Sequence, residues 1–254
     1  MTVHTLRMPQ GETLRNSVAP LRTVQALATL IDQLQDRQDG LPGMGCLSGW
    51  SGFGKTSAAI FAMNEYGCVN VQVQSTWSGK YLCEQILREL GEQPRGTIAR
   101  LVARISELLA ERDVPLLIDE ADHLVRRHTI EIVRDIYEGS QVPVILIGEE
   151  EMPTKLQAWD RIHNRMGGWA VAEAADLQDL LHLAPIYARG VEVERALAER
   201  ILVGSAYNLR RICTNLGHVR ELAAVKGVTR VTLADWGDRE LFTGRAPAPR
   251  SVPR

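Results

Sequence analysis

Two kinds of hydrophobic pattern alternate along the first two thirds of the chain. In one, apolar side chains fall three and four apart: Leu21, Val24, Leu27, Leu30, Ile31 and Leu34 within 18–37, Leu82, Ile86, Leu87 and Leu90 within 80–90, and Ile98, Leu101, Val102, Ile105, Leu108 and Leu109 from residue 98 onward. That spacing predicts amphipathic helices. Segments 57–66 and 130–137 read the same way. The other pattern is short and strand-like, at 44–47, 69–73, 115–118 and 142–147, with Trp169-Ala170-Val171 as a last short strand. Leu116-Leu117-Ile118 and most of 142–147 are apolar at every position, which suits strands buried on both faces. Strands alternating with helices predict an α/β fold with a parallel sheet.

After about residue 173 the pattern changes. No further strand run is expected, and 176–184, 193–202, 208–226 and 233–240 read as helices. The third is the clearest, with Leu209, Ile212, Cys213, Leu216 and Ala223 on one side. The expected organisation is therefore an N-terminal arm (1–17, polar and without period), an α/β core (18–172), a small all-helical region (173–242) and a flexible C-terminal tail (243–254). The tail is expected from Pro247, Pro249 and Pro253 among basic residues. No internal repeat is visible.

Chemistry enters between the first strand and the helix after it. Gly49-Trp50-Ser51-Gly52-Phe53-Gly54-Lys55-Thr56 fits G-x-x-x-x-G-K-[ST] at every required position. Glycines let successive N–H groups turn toward one phosphate chain, and the following helix presents its positive end. Gly49, Ser51, Gly52, Gly54, Lys55, Thr56 and Ser57 are thus the candidate phosphate-binding residues. Lys55 would reach the β- and γ-phosphates and Thr56 would bind Mg²⁺. A second element is Leu116-Leu117-Ile118-Asp119-Glu120. A carboxylate ending a buried strand beside the loop would complete the Mg²⁺ shell, so Thr56 and Asp119 are the expected metal ligands. Glu120 would orient and deprotonate an attacking water. The competing reading of Asp119 is a helix N-cap. The cofactors implied are ATP and Mg²⁺, and the reaction is ATP hydrolysis.

Composition narrows the partners only slightly. The 254 residues are 45% hydrophobic and 24% charged, with net charge −2, so no global positive field points to nucleic acid. A local patch stays open, because 29 lysines and arginines remain to be distributed. The four cysteines form no CxxC pair and no zinc spacing; Cys46, Cys83 and Cys213 sit in apolar patterns and are expected as small buried thiols. No apolar run approaches the length of a membrane span, and no signal peptide is visible, so the expectation is a cytoplasmic chain without a membrane role. His123 has no partner spacing for a metal, and Trp77 is expected as a partly buried surface aromatic.

The phosphate loop, the Asp119-Glu120 pair and the helical C-terminal segment together resemble the AAA+ ATPases over about residues 18 to 240. The resemblance implies a Rossmann-like core followed by a helical lid. It also implies a sensor-2 arginine on the lid helix, best matched by Arg210 in Asn208-Leu209-Arg210-Arg211. An arginine finger acting in trans is implied just before the last core strand, where Arg161 is the better match and Arg165 the next. For each arginine the competing reading is a solvated charge or a local ion pair. One position departs from the family: the strand 142–147 should end near a polar sensor-1 residue, and the chain has Gly148-Glu149-Glu150-Glu151. Within the family the chain resembles the transposition ATPases of the phage Mu B and TnsC group, and also the secretion ATPases of ExeA type. The first branch implies a bacteriophage-type protein that self-associates as an ATP-dependent filament on duplex DNA without sequence preference. It would select target DNA and activate a transposase, in the host cytoplasm. The DNA surface implied lies within 76–104: Lys80, Arg95, Thr97, Arg100 and Arg104, side chains suited to phosphate contact. These residues also fit the solvated faces of two amphipathic helices. The alternatives are a loader or secretion-type remodeller acting on a protein, in a closed ring, and a nucleotide-gated binding module with negligible turnover.

Overall fold

Five strands, β1 (Met44–Ser48), β2 (Val69–Gln72), β3 (Leu116–Asp119), β4 (Val144–Gly148) and β5 (Met166–Val171), pair in the order β2-β3-β4-β1-β5. Every pairing is parallel. The computed structural model describes residues 19–126 and 129–246. The arm expected at 1–17 and residues 247–254 of the expected tail lie outside the described residues.

The helices of the sheet region are α1 (Arg22–Gln35), α2 (Lys55–Tyr66), α3 (Gly79–Glu89), α4 (Ile98–Arg112), α5 (Asp122–Arg126), α6 (Ile130–Ser140), α7 (Met152–Gln157) and α8 (Asp160–His163). They cover both faces because the central strands are mostly apolar and are buried at every position. Met44, Cys46, Ile118, Val144 and Leu146 enter one core with α3, α4, α6 and α7. Leu47, Leu117, Ile145 and Ile147 enter another with α1 and α2. Side chains alternate across a strand, so a run of apolar residues can only be satisfied by two separate cores. The order reverses at β1, which leaves β4 on one side and β5 on the other. The crevice beyond the carboxyl ends of the strands at this reversal is where open α/β sheets hold ligands.

The remaining elements are α9 (Leu177–Tyr187), β6 (Glu192–Val193), α10 (Arg195–Gly204), α11 (Leu209–Lys226), β7 (Arg230–Val231) and α12 (Leu233–Trp236). This region does not build a core of its own. Leu180, Ile201, Ile212 and Leu216 are buried in the same cluster as Leu27 and Ile31 of α1 and Ala58 and Ala59 of α2. An ionic tie reinforces the seam: Arg22 donates through its backbone N–H to Asp179 Oδ1 at 3.0 Å, through Nε to Oδ2 at 3.3 Å, and from its guanidinium to Glu173 at 2.8 Å. Asp179 also closes a capping box with Asp176 at the start of α9.

Several expectations need correction. The two-residue strands β6 and β7 pair in parallel within a region expected to be wholly helical; two residues carry no readable period. Strand β5 starts three residues before Trp169, because Gly167 and Gly168 lie against Pro42, Leu30 and Leu34 and give no hydrophobic signal. Helix α9 runs on through Pro185 to Tyr187, and α12 stops at Trp236, where Gly237 turns with φ 61°. The segment after Gly237 is irregular yet held. Asn215, fully buried on α11, accepts the N–H of Phe242 at 2.8 Å and donates to the Phe242 carbonyl and to Ser205 Oγ, each at 3.0 Å. Replacing Asn215 by Ala leaves the buried Ser205 hydroxyl without this partner and frees the part-buried Phe242 backbone. We expect a loss of about 2–3 kcal/mol in urea unfolding, with a smaller loss for Phe242→Ala, whose backbone bonds to Asn215 survive.

Candidate nucleotide site

The loop between β1 and α2 curls at Gly52 and Gly54, at φ 84° and 85°. Gly52 is required for a second reason: a Cβ there would run into the side chain of Asn208. Asn208 caps α11, accepting the N–H of Arg211 at 3.3 Å, and its Nδ2 donates to the Ser51 carbonyl at 2.9 Å. The Leu209 N–H donates to the Gly52 carbonyl, also at 2.9 Å. The start of the lid helix is thus hydrogen-bonded directly to the phosphate loop. On the other flank, Thr23 Oγ1 of α1 donates to the Phe53 carbonyl at 2.8 Å.

Lys55 opens α2 and points back along the loop, donating to the carbonyls of Gly49 at 2.5 Å and Trp50 at 3.1 Å. Burial pulls its ammonium below the usual lysine range, and the nearby carboxylates of Glu120, Asp119, Asp122 and Glu149 only partly restore it. A phosphate chain would meet a cation that lacks a full complement of water. Thr56 Oγ1 donates to Asp119 Oδ2 at 3.0 Å, and the Glu120 N–H donates to Asp119 Oδ1 at 2.9 Å. Asp119 is 2% exposed, and burial raises its carboxyl above the ordinary range despite those hydrogen bonds and Lys55.

A hydroxyl and a carboxylate side by side suit a small divalent cation that keeps several waters and takes further ligands from phosphate. Thr56 and Asp119 supply such a pair of oxygen donors. The next residue, Glu120, has φ 56°, unusual for any residue but glycine, and its side chain borders the same space.

That space is a cavity of about 560 Å³ with both polar and apolar lining. The loop, Glu120, Glu149 and Arg210 supply the polar part of the lining. Leu21, Leu183, Tyr187, Leu209 and Cys213 form an apolar wall drawn from three places in the sequence, with Leu21 and Leu209 close to Gly54 of the loop. The sequence reading missed Leu21, Leu183 and Tyr187 as site residues; only folding brings them together. Cys213, expected as a buried core thiol, is half-buried in this wall, and burial pushes its thiol up to about 11.

The other candidate residues lie apart from the cavity. Arg161 is exposed on α8 with no ion-pair partner among the described residues, and its carbonyl accepts Arg165 at 2.6 Å. Arg165 is paired with Glu138. Lys80, Arg95, Thr97, Arg100 and Arg104 fall on α3, the connection after it and the first turns of α4. Arg104 is bound to Glu92 at 2.7 Å and Glu107 at 3.3 Å, and Lys80 lies 3.8 Å from Glu84, whereas Arg95 and Arg100 are exposed without ion pairs among the described residues. Trp77 is half-buried, with its ring edge-on to Tyr81 at 5.1 Å. No helix among the described residues is long and apolar enough to cross a membrane.

Comparison with known proteins places this arrangement. No curated protein sequence matches the chain. Solved structures do match in fold. The Aeropyrum pernix ORC1 protein in complex with DNA has a TM-score of 0.60 at 16% identity, over 84% of this chain and 62% of that one. The ORC2 protein of the same organism, as ADPNP-ADP complexes, gives 0.62 at 14% identity, over 87% and 68%. The RuvB Holliday junction branch migration motor of Thermotoga maritima gives 0.58 at 20% identity, over 84% and 65%. The chain therefore spans about two thirds of the length of these structures, and at such identities the likeness is one of fold. A family model described as an AAA domain matches residues 20–156, more than half of the chain, from α1 through the phosphate loop and Asp119 to α7. By that match and by the geometry of its phosphate loop, the chain belongs to the AAA domain family.

Proposed function

We propose that this protein hydrolyses ATP and uses the nucleotide to assemble on duplex DNA, selecting target DNA and activating a transposase. One observation carries the hydrolysis reading: Lys55, Thr56 and Glu120 line one cavity that also has an apolar wall, and Thr56 is hydrogen-bonded to the buried Asp119 behind it. The phosphate chain would lie along the loop N–H groups and Lys55, with the base against Tyr187, Leu183 and Leu209. Mg²⁺ held at Thr56 and Asp119 would supply positive charge to the β- and γ-phosphates. Glu120 takes a proton from water as its oxygen bonds to the γ-phosphorus. The bond to the β–γ bridging oxygen breaks, and ADP and phosphate leave. Arg210, on the rim of the cavity in the first turn of α11, would neutralise charge on the terminal phosphate.

Arg161 supports assembly. It lies outside its own cavity and carries no local ion pair among the described residues, as suits a guanidinium supplied to a neighbouring copy. The DNA reading draws support from Arg95 and Arg100, exposed and without ion pairs among the described residues, and from solved structures of like fold described as bound to DNA or as a branch migration motor. A second reading, a ring-forming loader or secretion-type ATPase acting on protein, is favoured by Arg104 and Lys80. Their acidic neighbours neutralise part of the expected DNA surface.

Two experiments test these readings. Glu120→Gln should abolish phosphate release while leaving ATP affinity within about threefold of wild type; normal turnover would remove Glu120 from the chemistry. Electron microscopy with duplex DNA and a slowly hydrolysed ATP analogue should show filaments that need both and that disappear in Arg161→Ala. Closed rings formed without DNA would favour the loader. Separately, Gly52→Ala should weaken nucleotide binding at least tenfold, because the added methyl displaces Asn208 from the loop. Binding at wild-type strength would show that the lid contact does not hold the loop in shape.

A further inference from the structure

Helix α1 begins without a side-chain cap of its own among the described residues. Leu21 occupies the N-cap position, where its side chain has no acceptor to offer, and the first turn carries no acidic residue. The acceptor comes from the lid instead. Asp179, in the first turn of α9 and 3% exposed, takes the Arg22 N–H on Oδ1 at 3.0 Å. Its Oδ2 takes Arg22 Nε at 3.3 Å and the Asp176 N–H at 3.1 Å. A carboxylate at a helix N-terminus satisfies an orphan donor and faces the positive end of the helix dipole. The Arg22 guanidinium extends the tie to Glu173 at 2.8 Å, to Asp176 at 3.3 Å and to the Ala174 carbonyl. One buried carboxylate thus serves the starts of two helices, and the first turn of α1 is wound against α9.

Both helices deliver wall residues to the cavity from this junction. Leu21 stands one residue before the capped N–H, is buried, and reaches the cavity beside the phosphate loop, its Cδ1 3.8 Å from where a Cβ on Gly54 would stand. On α9, Asp179, Leu183 and Tyr187 fall four apart along one face, and the last two line the cavity. The spacing between Leu21 and the pair from α9 is therefore set at Asp179. We infer that Asp179 is a positioning residue for the nucleoside: without lining the cavity itself, it holds Leu21 in register with Leu183 and Tyr187 and so fixes the shape of the apolar wall. The phosphate loop has supports of its own in Thr23, Asn208 and Leu209. The inference rests on the proposed placement of the base against this wall, and not on turnover or assembly.

Equilibrium binding of ATP and of inorganic tripolyphosphate, each with Mg²⁺, tests it on the full chain. Wild type should bind ATP more tightly, because tripolyphosphate lacks the group that meets the wall. Asp179→Asn keeps the shape of the side chain but leaves one oxygen to accept for three N–H groups. It should weaken ATP on the order of tenfold and tripolyphosphate by no more than about twofold. Leu21→Ala should show the same selectivity, and adding Asp179→Asn to it should cost ATP no more than about threefold further, since both act on one wall. If Asp179→Asn folds poorly, Arg22→Met leaves the main-chain N–H on Asp179 and removes only the guanidinium. That variant should weaken ATP about threefold and spare tripolyphosphate. Tripolyphosphate carries at least as much negative charge as ATP, so a loss acting through charge alone would fall on both. Equal weakening of the two ligands, undiminished ATP binding, or additive losses in the double variant would overturn the inference. Wild type that binds neither ligand would sink the nucleotide-site reading itself. Wild type that binds the two equally would sink only the placement of the base, and this inference with it.

Discussion

The site depends on one contact above all, the hydrogen-bonded docking of the lid helix onto the phosphate loop. The N–H of Leu209 and the side chain of Asn208 each reach loop carbonyls at 2.9 Å, at Gly52 and Ser51. Without α11 those two carbonyls would be met by solvent rather than by fixed donors. Satisfying them from α11 fixes the loop's curl and the start of the helix together. Arg210 follows Leu209, so its place on the rim of the cavity is set by the same contact. A change in the loop is a change in the position of that arginine.

Packing makes this coupling rigid. The lid helices share their hydrophobic cluster with α1, α2 and one face of the sheet, and Arg22 ties α1 to α9 through Asp179. A helical region with its own core would be free to swing on a linker; one that completes another element's core loses buried apolar surface when it moves. Opening the site is thus costly without a compensating contact, and a nucleotide spanning loop and lid would supply one. The strap at Phe242, held by Asn215, adds a restraint at the same end of α10 and α11.

Electrostatics give the polar part of the site its character. Asp119, Glu120, Asp122 and Glu149 surround Lys55 at the carboxyl ends of the strands, and burial raises Asp119 while lowering Lys55. Carboxylates crowded beside a partly desolvated ammonium suit a site that takes a cation and a phosphate chain together.

The loop Gly49–Thr56, the pair Asp119-Glu120 and the helix beginning at Asn208 are legible in the sequence because each function needs particular residue types at a fixed local spacing. The parallel sheet is legible for a similar reason, since only two-sided burial makes Leu116-Leu117-Ile118 apolar throughout. Where the signal is short or absent, the reading fails: two-residue β6 and β7, the glycines that open β5, and the end of α12 at Gly237. The apolar wall of Leu21, Leu183, Tyr187 and Cys213 has no motif, because its members are brought together by packing rather than spacing. The Asp122–Lys155 ion pair is invisible for the same reason, as is the pairing of Arg104 with Glu92 across the connection between α3 and α4. Sequence alone determined a glycine loop of the phosphate-binding pattern and a carboxylate ending an apolar strand. Tertiary structure decided which distant side chains close the cavity and which of its charges are already paired, because burial and ion pairing depend on distances in space that no pattern along the chain encodes.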